Sequence, residues 1–331
     1  MAKKYNVYGI GNALVDMEFQ VTDRFLQKHN VKKGLMTLVD EETQFELIHD
    51  INKAETVQKP GGSAANTMIA VNQLGGNAFY SCKVADDPFG DLYLQEMKDA
   101  GIDTNFDRQQ RRDGITGKCL VMVTDDADRT MNTFLGITAT LSTDEVDEQA
   151  IKDSEYVYLE GYLVTSGTGF EAMKQTKKIA EKNGVKTALT LSDPSIVEGF
   201  KERFEELIGA SVDLLFCNEE EAKIFTGTDE LSQAREALKK EAKRFVITQG
   251  ANGAHIYDGD TFIDIAPYET KAVDTNGAGD MYAGAFLFGI TNGMGYAGAG
   301  KLASLAGSKV VSQYGPRLEW HEMQQLLKEL A

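Results

Sequence analysis

The segment Asp274-Thr275-Asn276-Gly277-Ala278-Gly279-Asp280 runs directly into Met281-Tyr282-Ala283-Gly284-Ala285-Phe286-Leu287, a turn of small residues followed by an apolar helical stretch. Small residues at 277 to 279 let backbone N–H groups approach an anion closely, and a helix that starts there directs its positive end at the same point. This makes an anion hole without side-chain charge. Asp280 falls in the first helical turn, where a carboxylate is favoured, is expected to stay ionised, and can orient a hydroxyl and accept its proton. For phosphoryl transfer through a loose transition state that set is sufficient, because positioning and charge stabilisation do most of the work. The same residues also fit a plain Gly-rich helix entry with Asp280 on the surface.

Three further segments have chemical potential, each with a plain alternative. Pro60-Gly61-Gly62-Ser63-Ala64-Ala65-Asn66 feeds a helix with the apolar stripe Ala65, Met68, Ile69 and Leu74. Its double glycine turns backbone donors outward, and Asn66 can present its amide to sugar hydroxyls; otherwise it is a loop and a first turn. Asn218-Glu219-Glu220-Glu221 follows a strand, at the end where open α/β sheets bind ligands. Glu221, three residues after Asn218, can hold a water-ligated Mg²⁺ near phosphates, or the run is simply a charged helix start. Thr248-Gln249-Gly250-Ala251-Asn252-Gly253 lies between two strands, as a hairpin turn or as a nucleotide cradle.

Competing chemistries find little support. Gly9-Ile10-Gly11 lacks the third glycine of a dinucleotide fingerprint, since Leu14 stands there and the next segment reads as a strand. Gly117-Lys118 and Gly300-Lys301 are followed by Cys119 and Leu302, where a phosphate-binding Walker loop needs Ser or Thr. Cys82, Cys119 and Cys217 stand far apart and the four histidines are scattered, giving no zinc or redox signature.

The elements that must position these residues alternate. Strand-like runs are Tyr5 to Ile10, Ala78 to Val84, Tyr156 to Glu160, Lys186 to Leu191, Asp213 to Phe216, Phe245 to Thr248 and Ala254 to Tyr257. Helical patterns are Ala64 to Leu74, Phe89 to Ala100, Phe170 to Lys182, Lys201 to Ile208, Leu231 to Glu241, Ala278 to Thr291, Ala297 to Ser312 and Glu319 to Leu330. Such alternation implies an α/β fold with a mostly parallel central sheet and helices on both faces. Two regions depart from it. From Asn12 to Val21 apolar residues occupy the odd positions, the period of a half-buried strand, so Asn12 and Asp16 share a face. Lys118 to Thr124 and Arg129 to Leu135 read as a hairpin around the acidic turn 125–128. With Val31 to Val39 they predict a small β-rich appendage that could cover a site.

The chain has 331 residues, 42% of them hydrophobic, enough for a substantial core, and a net charge of −17 from 34 Lys+Arg against 51 Asp+Glu. That balance disfavours nucleic acid and anionic membranes, which recruit basic surfaces. MAKKYNVYGIG passes from two lysines into a β-like run with no signal-type apolar region, so a cytoplasmic protein is expected. The 32 glycines exceed the usual share of about 7%, and with only 5 prolines they do not form a linker.

Taken together, the early Gly-Gly with Asn66, the Asn-x-x-Glu, the Thr-x-Gly and the late Gly-Ala-Gly-Asp resemble, in type and order, the PfkB (ribokinase-like) carbohydrate kinase family, over essentially the whole chain. GIGNALVDM, TLSDP at 190 to 194, FCNEEEAKIF at 216 to 225 and the DTNGAGD spelling are most similar to its adenosine kinases. The resemblance implies one ribokinase-like α/β domain with a lid from inserted segments at about 12–60 and 107–140. It implies ATP- and Mg²⁺-dependent phosphorylation of the adenosine 5′-hydroxyl, with another nucleoside (inosine, guanosine), a free sugar (ribose, fructose) or a non-catalytic nucleoside sensor as alternatives. Asp280 would be the catalytic base and the Gly277, Ala278 and Gly279 backbone the anion hole. Asp16 would hold ribose hydroxyls with Gly62, Ser63 and Asn66, and Asn12 close by. Asn218 and Glu221 would organise Mg²⁺, the latter through water, while Thr248, Gly250, Gly253 and Asn276 would line the ATP site. Asp274 matches the position that binds a monovalent cation such as K⁺ in some members. Arg129 is either a phosphate clamp or a solvated lid residue. Leu14, Met36, Phe134 and Phe170 are the candidates to enclose the base, although Leu14 and Phe134 equally fit lid core. The expected partner is a small-molecule nucleoside or sugar, bound by a monomer or homodimer.

Overall fold

Short runs such as Lys186–Thr190 and Phe245–Thr248, buried along nearly their whole length, are stable as strands only in a sheet covered on both faces. The computed structural model describes residues 3–51, 57–105, 111–126 and 129–330; parts of the expected lid segments and of the acidic turn (52–56, 106–110 and 127–128) lie outside the described residues. Within it the strands are β1 (Tyr5–Ile10), β2 (Leu14–Gln20), β3 (Met36–Leu38), β4 (Val57–Gly61), β5 (Ala78–Ser81), β6 (Asp103–Thr104) and β7 (Thr116–Val123). They continue as β8 (Arg129–Gly136), β9 (Ser154–Leu159), β10 (Lys186–Thr190), β11 (Leu214–Asn218), β12 (Phe245–Thr248), β13 (Ala254–Tyr257) and β14 (Phe262–Ile265).

Nine of them form one sheet in the order β14-β13-β12-β11-β10-β9-β1-β5-β6. It is parallel from β12 to β6, and only the β12-β13-β14 meander runs antiparallel. Two apolar cores flank it, one per face. The expected α/β architecture is therefore present, with helices Ser63–Gln73 and Ala278–Thr291 packed together on one side. Residues Met281–Gly289 are buried without interruption, so this helix is core all round rather than amphipathic. Gly284 allows the close crossing: a Cβ there would lie 2.6 Å from both Ala70 Cβ and Thr67 O.

The other five strands form a separate sheet in the order β3-β8-β7-β2-β4, in which the expected hairpin is β7-β8. Val15, Met17 and Phe19 of β2 are buried, and Met17 and Phe19 build a small core with Leu47 and Leu120 beneath the helix Glu41–Asp50. The opposite face of β2 carries Leu14 and Asp16, with Asp16 in register with Lys59 of β4 and Cys119 of β7. Strand β4 was not anticipated because Pro60 argues against a strand, but β4 lies at the sheet's edge, where a missing N–H is tolerated. Strand β6 is only two residues long, and β14 is an edge strand with Ile265 alone buried, so neither leaves a clear pattern in the sequence. Among the described residues no helix is long and apolar enough to cross a membrane.

Candidate active site

Strands β1, β9, β10, β11 and β12 are neighbours in the large sheet, and each delivers a polar residue at its carboxyl end: Asn12, Glu160, Ser192, Asn218 and Thr248. These residues line one wall of a cavity of about 670 Å³. This is where open parallel sheets bind ligands. The small sheet supplies the facing wall, and helices Ser63–Gln73 and Ala278–Thr291 aim their N-termini into the space between.

Asp280 sits at the junction of these parts. Ser63 Oγ donates to its Oδ1 at 2.6 Å and Asn66 Nδ2 to its Oδ2 at 2.9 Å. Burial raises its pKa above the ordinary carboxylate range, opposed by the Ser63 and Asn66 hydrogen bonds and by the Arg317 charge. The first-turn position alone suggested a carboxylate held firmly ionised; desolvation in the cavity works the other way and favours its action as a base. No side chain caps this helix, so its first-turn amides face the cavity with the helix field behind them. Gly277 at the N-cap has φ +73°, and a Cβ there would lie 2.4 Å from Pro316 Cβ, so no larger residue fits.

The sugar-binding candidates converge here, but with differing roles. Asn12 is buried, and its backbone N–H and Nδ2 both donate to Glu160 Oε1 at 3.0 Å, while its carbonyl accepts from the Tyr80 hydroxyl. Glu160 Oε2 accepts from the Ala64 N–H at 2.8 Å, so this carboxylate joins the loop after β1 to the start of the helix Ser63–Gln73. Burial pushes Glu160 up to about 7 against these bonds. Asp16 faces the cavity from β2; burial pushes it up to about 7, with Arg317 opposing and Asp280 adding to the rise.

Away from Asp16 and Arg129 the small-sheet wall is largely apolar, with Leu14, Met36, Val121, Met131 and Leu135 lining the cavity beside Thr133. Phe134 is not part of it: cavity-lining residues of β8 are Arg129, Met131, Thr133 and Leu135, and strand alternation puts Phe134 on the reverse face. Phe170 is also excluded, buried in a core of the large sheet and flanked by Lys174 and Arg203.

At the other end of the cavity, Asn218 and Glu221 form a reciprocal capping box on the helix Glu219–Thr226, with Asn218 N and Nδ2 donating to Glu221 at 3.0 and 2.7 Å. Burial pushes Glu221 up to about 7. Thr248 and Asn276 line the cavity; Gly250 and Gly253 do not, since they belong to the tight β12-β13 hairpin turn. Arg129 is not solvated: its side chain is 12% exposed and pairs with Asp274 at 2.7 Å and Glu18 at 3.6 Å. Asp274 also accepts from the Asn276 and Gly315 N–H groups, so the charge facing it is a guanidinium and its other donors are N–H groups, a set that does not suit K⁺. Among the described residues no group of three or more His, Cys, Asp or Glu is arranged to hold a metal ion.

Sequence reasoning overlooked three residues. Glu160 carried a signal, a charge ending an otherwise apolar strand. Ser192 lines the cavity in the left-handed region (φ +70°), uncommon for a non-glycine residue. Arg317, from the loop before the last helix, approaches Asn66 and Glu96 through tertiary structure alone.

The sequence profile described as pfkB family carbohydrate kinase matches residues 27–323. The crystal structure of adenosine kinase from Sinorhizobium meliloti is similar with a TM-score of 0.90 at 34% identity, covering 99% of this chain and 100% of that one. A probable sugar kinase from Rhizobium etli CFN 42 gives a TM-score of 0.90 at 32% identity, covering 99% and 98%. The adenosine kinase of Saccharomyces cerevisiae is 28% identical over 305 residues, 86% of this chain and 88% of its own length.

Proposed function

The chain belongs to the pfkB family of carbohydrate kinases, phosphotransferases with an alcohol acceptor, and on that premise we propose that it transfers the γ-phosphate of ATP to the 5′-hydroxyl of adenosine, giving AMP. The observation that carries the nucleoside reading is the two-sided cavity. Asp16, Asn66 and Asp280 make a polar floor suited to sugar hydroxyls, whereas Leu14, Met36, Met131 and Leu135 make an apolar wall that a flat base covers. A free sugar would leave that wall wet. The comparable likeness to a probable sugar kinase favours phosphorylation of a free sugar as the second reading.

Asp16 and Asn66 orient the ribose. Asp280 accepts the proton of the attacking hydroxyl; the Ser63 hydroxyl already makes to Oδ1 the kind of O–H bond that an alcohol substrate would make. The first-turn amides after Gly277 face the oxygens of the transferring phosphoryl group, where charge spreads in the loose transition state. Asn218 and Glu221 suit Mg²⁺ held through water, because the capping box leaves carboxylate lone pairs for water and Mg²⁺ retains much of its hydration. When bound, Mg²⁺ would neutralise phosphate charge. The test is phosphate transfer from ATP across adenosine, inosine, guanosine, ribose and fructose. Adenosine should have the highest kcat/KM; a preference for a free sugar supports the second reading, and no transfer to any acceptor supports a binding sensor.

A further inference from the structure

Arg317 lies in the loop between the helices Gly295–Val310 and Trp320–Glu329, remote in sequence from every motif described above. Its guanidinium is nearly buried and does not line the cavity. Its Nε donates to Asn66 Oδ1 at 2.8 Å and its Nη1 to Glu96 Oε1 at 2.9 Å, while Nη2 is buried without a hydrogen-bond partner among the described residues. On its other side Asn66 donates from Nδ2 to Asp280. The chain therefore runs Glu96, Arg317, Asn66, Asp280, with each donor and acceptor fixed.

The logic lies in the amide. A guanidinium has donors and no acceptor, so only Oδ1 of Asn66 can face it, and Nδ2 must then face Asp280. Turned over, the amide would set an oxygen against a carboxylate and a donor against a guanidinium. The half-exposed Glu96 holds the far end of the fork in place.

We propose that Arg317 is a positioning residue for Asp280, acting through the Asn66 amide and through its own buried charge. The inference rests on Asp280 being the base. The charge that acts on this carboxylate is that of Arg317, and Asp280 in turn raises the proton affinity of Asp16 on β2, Glu160 after β9 and the neutral Tyr158 and Tyr162 hydroxyls. Arg317 is the cation that acts on Asp280, and together with Arg129 it also acts on Asp16. Removing it leaves the carboxylates facing one another and frees the amide to turn.

The experiment compares Arg317→Gln and Arg317→Lys with the parent enzyme, measuring kcat, both KM values and the pH profile of kcat/KM with ATP and adenosine. For Arg317→Gln, kcat at pH 7 falls about tenfold or more, KM for ATP stays within about twofold, and the acidic limb moves up by about one pH unit. For Arg317→Lys, the charge returns without the fork, so the limb stays near its parental position while kcat remains about threefold or more below the parent. The Lys variant carries the test if the Gln variant does not fold. A pH-independent loss with an unmoved limb in Arg317→Gln would mean simple structural support and overturn the proposal, as would parental kcat in Arg317→Lys. Asp280→Asn separates the two claims. If it retains turnover, the base assignment fails; if it is inactive while Arg317→Gln has a parental rate and profile, only the role of Arg317 fails.

Discussion

Asp280 receives one hydroxyl and one amide donor, while burial raises its proton affinity. A carboxylate in this state is fixed in direction yet basic enough to take a proton. Asp280→Asn should lower kcat by at least about a hundredfold, the usual scale of general base catalysis, with adenosine binding by calorimetry largely retained. The wall opposite makes a second claim about single residues. Leu135→Ala should raise KM for adenosine about five- to tenfold, the effect of one lost apolar contact, whereas Phe134→Ala should change it by less than about twofold because that ring points away. Equal effects at 134 and 135 would contradict the face assignment. Legibility differed sharply among these residues. Asp280, Asn66 and Glu221 could be nominated because helix starts are local and their chemistry is written within a few residues. Glu160 and Arg317 could not be given roles that way, since their partners lie 96 and 251 residues distant and appear only once the chain has closed on itself.

Elements explain why the site is rigid. Helix Ala278–Thr291 is buried on all sides, so the amides at its start cannot shift without disturbing the core. Gly277 is where its entry turn is held against Pro316. Gly277→Ala should destabilise the protein by about 1–3 kcal/mol through its positive φ and the clash, and lower kcat at least about tenfold, as read by urea unfolding and steady-state kinetics. Parental rate and stability would mean that the turn tolerates another geometry. Periodicity located this helix, β1, β12 and β13 to the residue, because buried runs bounded by turns leave little choice of register. It failed on β4, where Pro60 obscures an edge strand, and on β8 it found the strand but not the face. Which side of a half-buried ribbon meets ligand depends on what packs behind it. Here the helix Glu41–Asp50, which was not anticipated, covers one face of the small sheet and leaves the other open.

At the scale of the whole molecule, a net charge of −17 coexists with a proposed polyanionic substrate. The anion is met by backbone amides and a helix terminus, while Arg129 and Arg317 are held by Asp274 and by Glu96 and Asn66. Acidity within the cavity has a thermodynamic signature. Asp16, Glu160 and Glu221 are each pushed up to about 7, above their values of about 4 in the unfolded chain. Between those values the folded state binds more protons, so their contribution is full below about pH 4 and is lost as pH rises through about 7. The thermal midpoint of the ligand-free protein should therefore fall from pH 5.5 to pH 8; a flat or rising midpoint would place these carboxylates in a wetter site. The central claim, a nucleoside kinase built on a polar floor and an apolar wall, is tested most directly by kcat/KM for adenosine and ribose with ATP under identical conditions. The two-sided cavity predicts that adenosine exceeds ribose by about a hundredfold or more, on the scale of the apolar contacts a base adds. Equal values, or a preference for ribose, would contradict it.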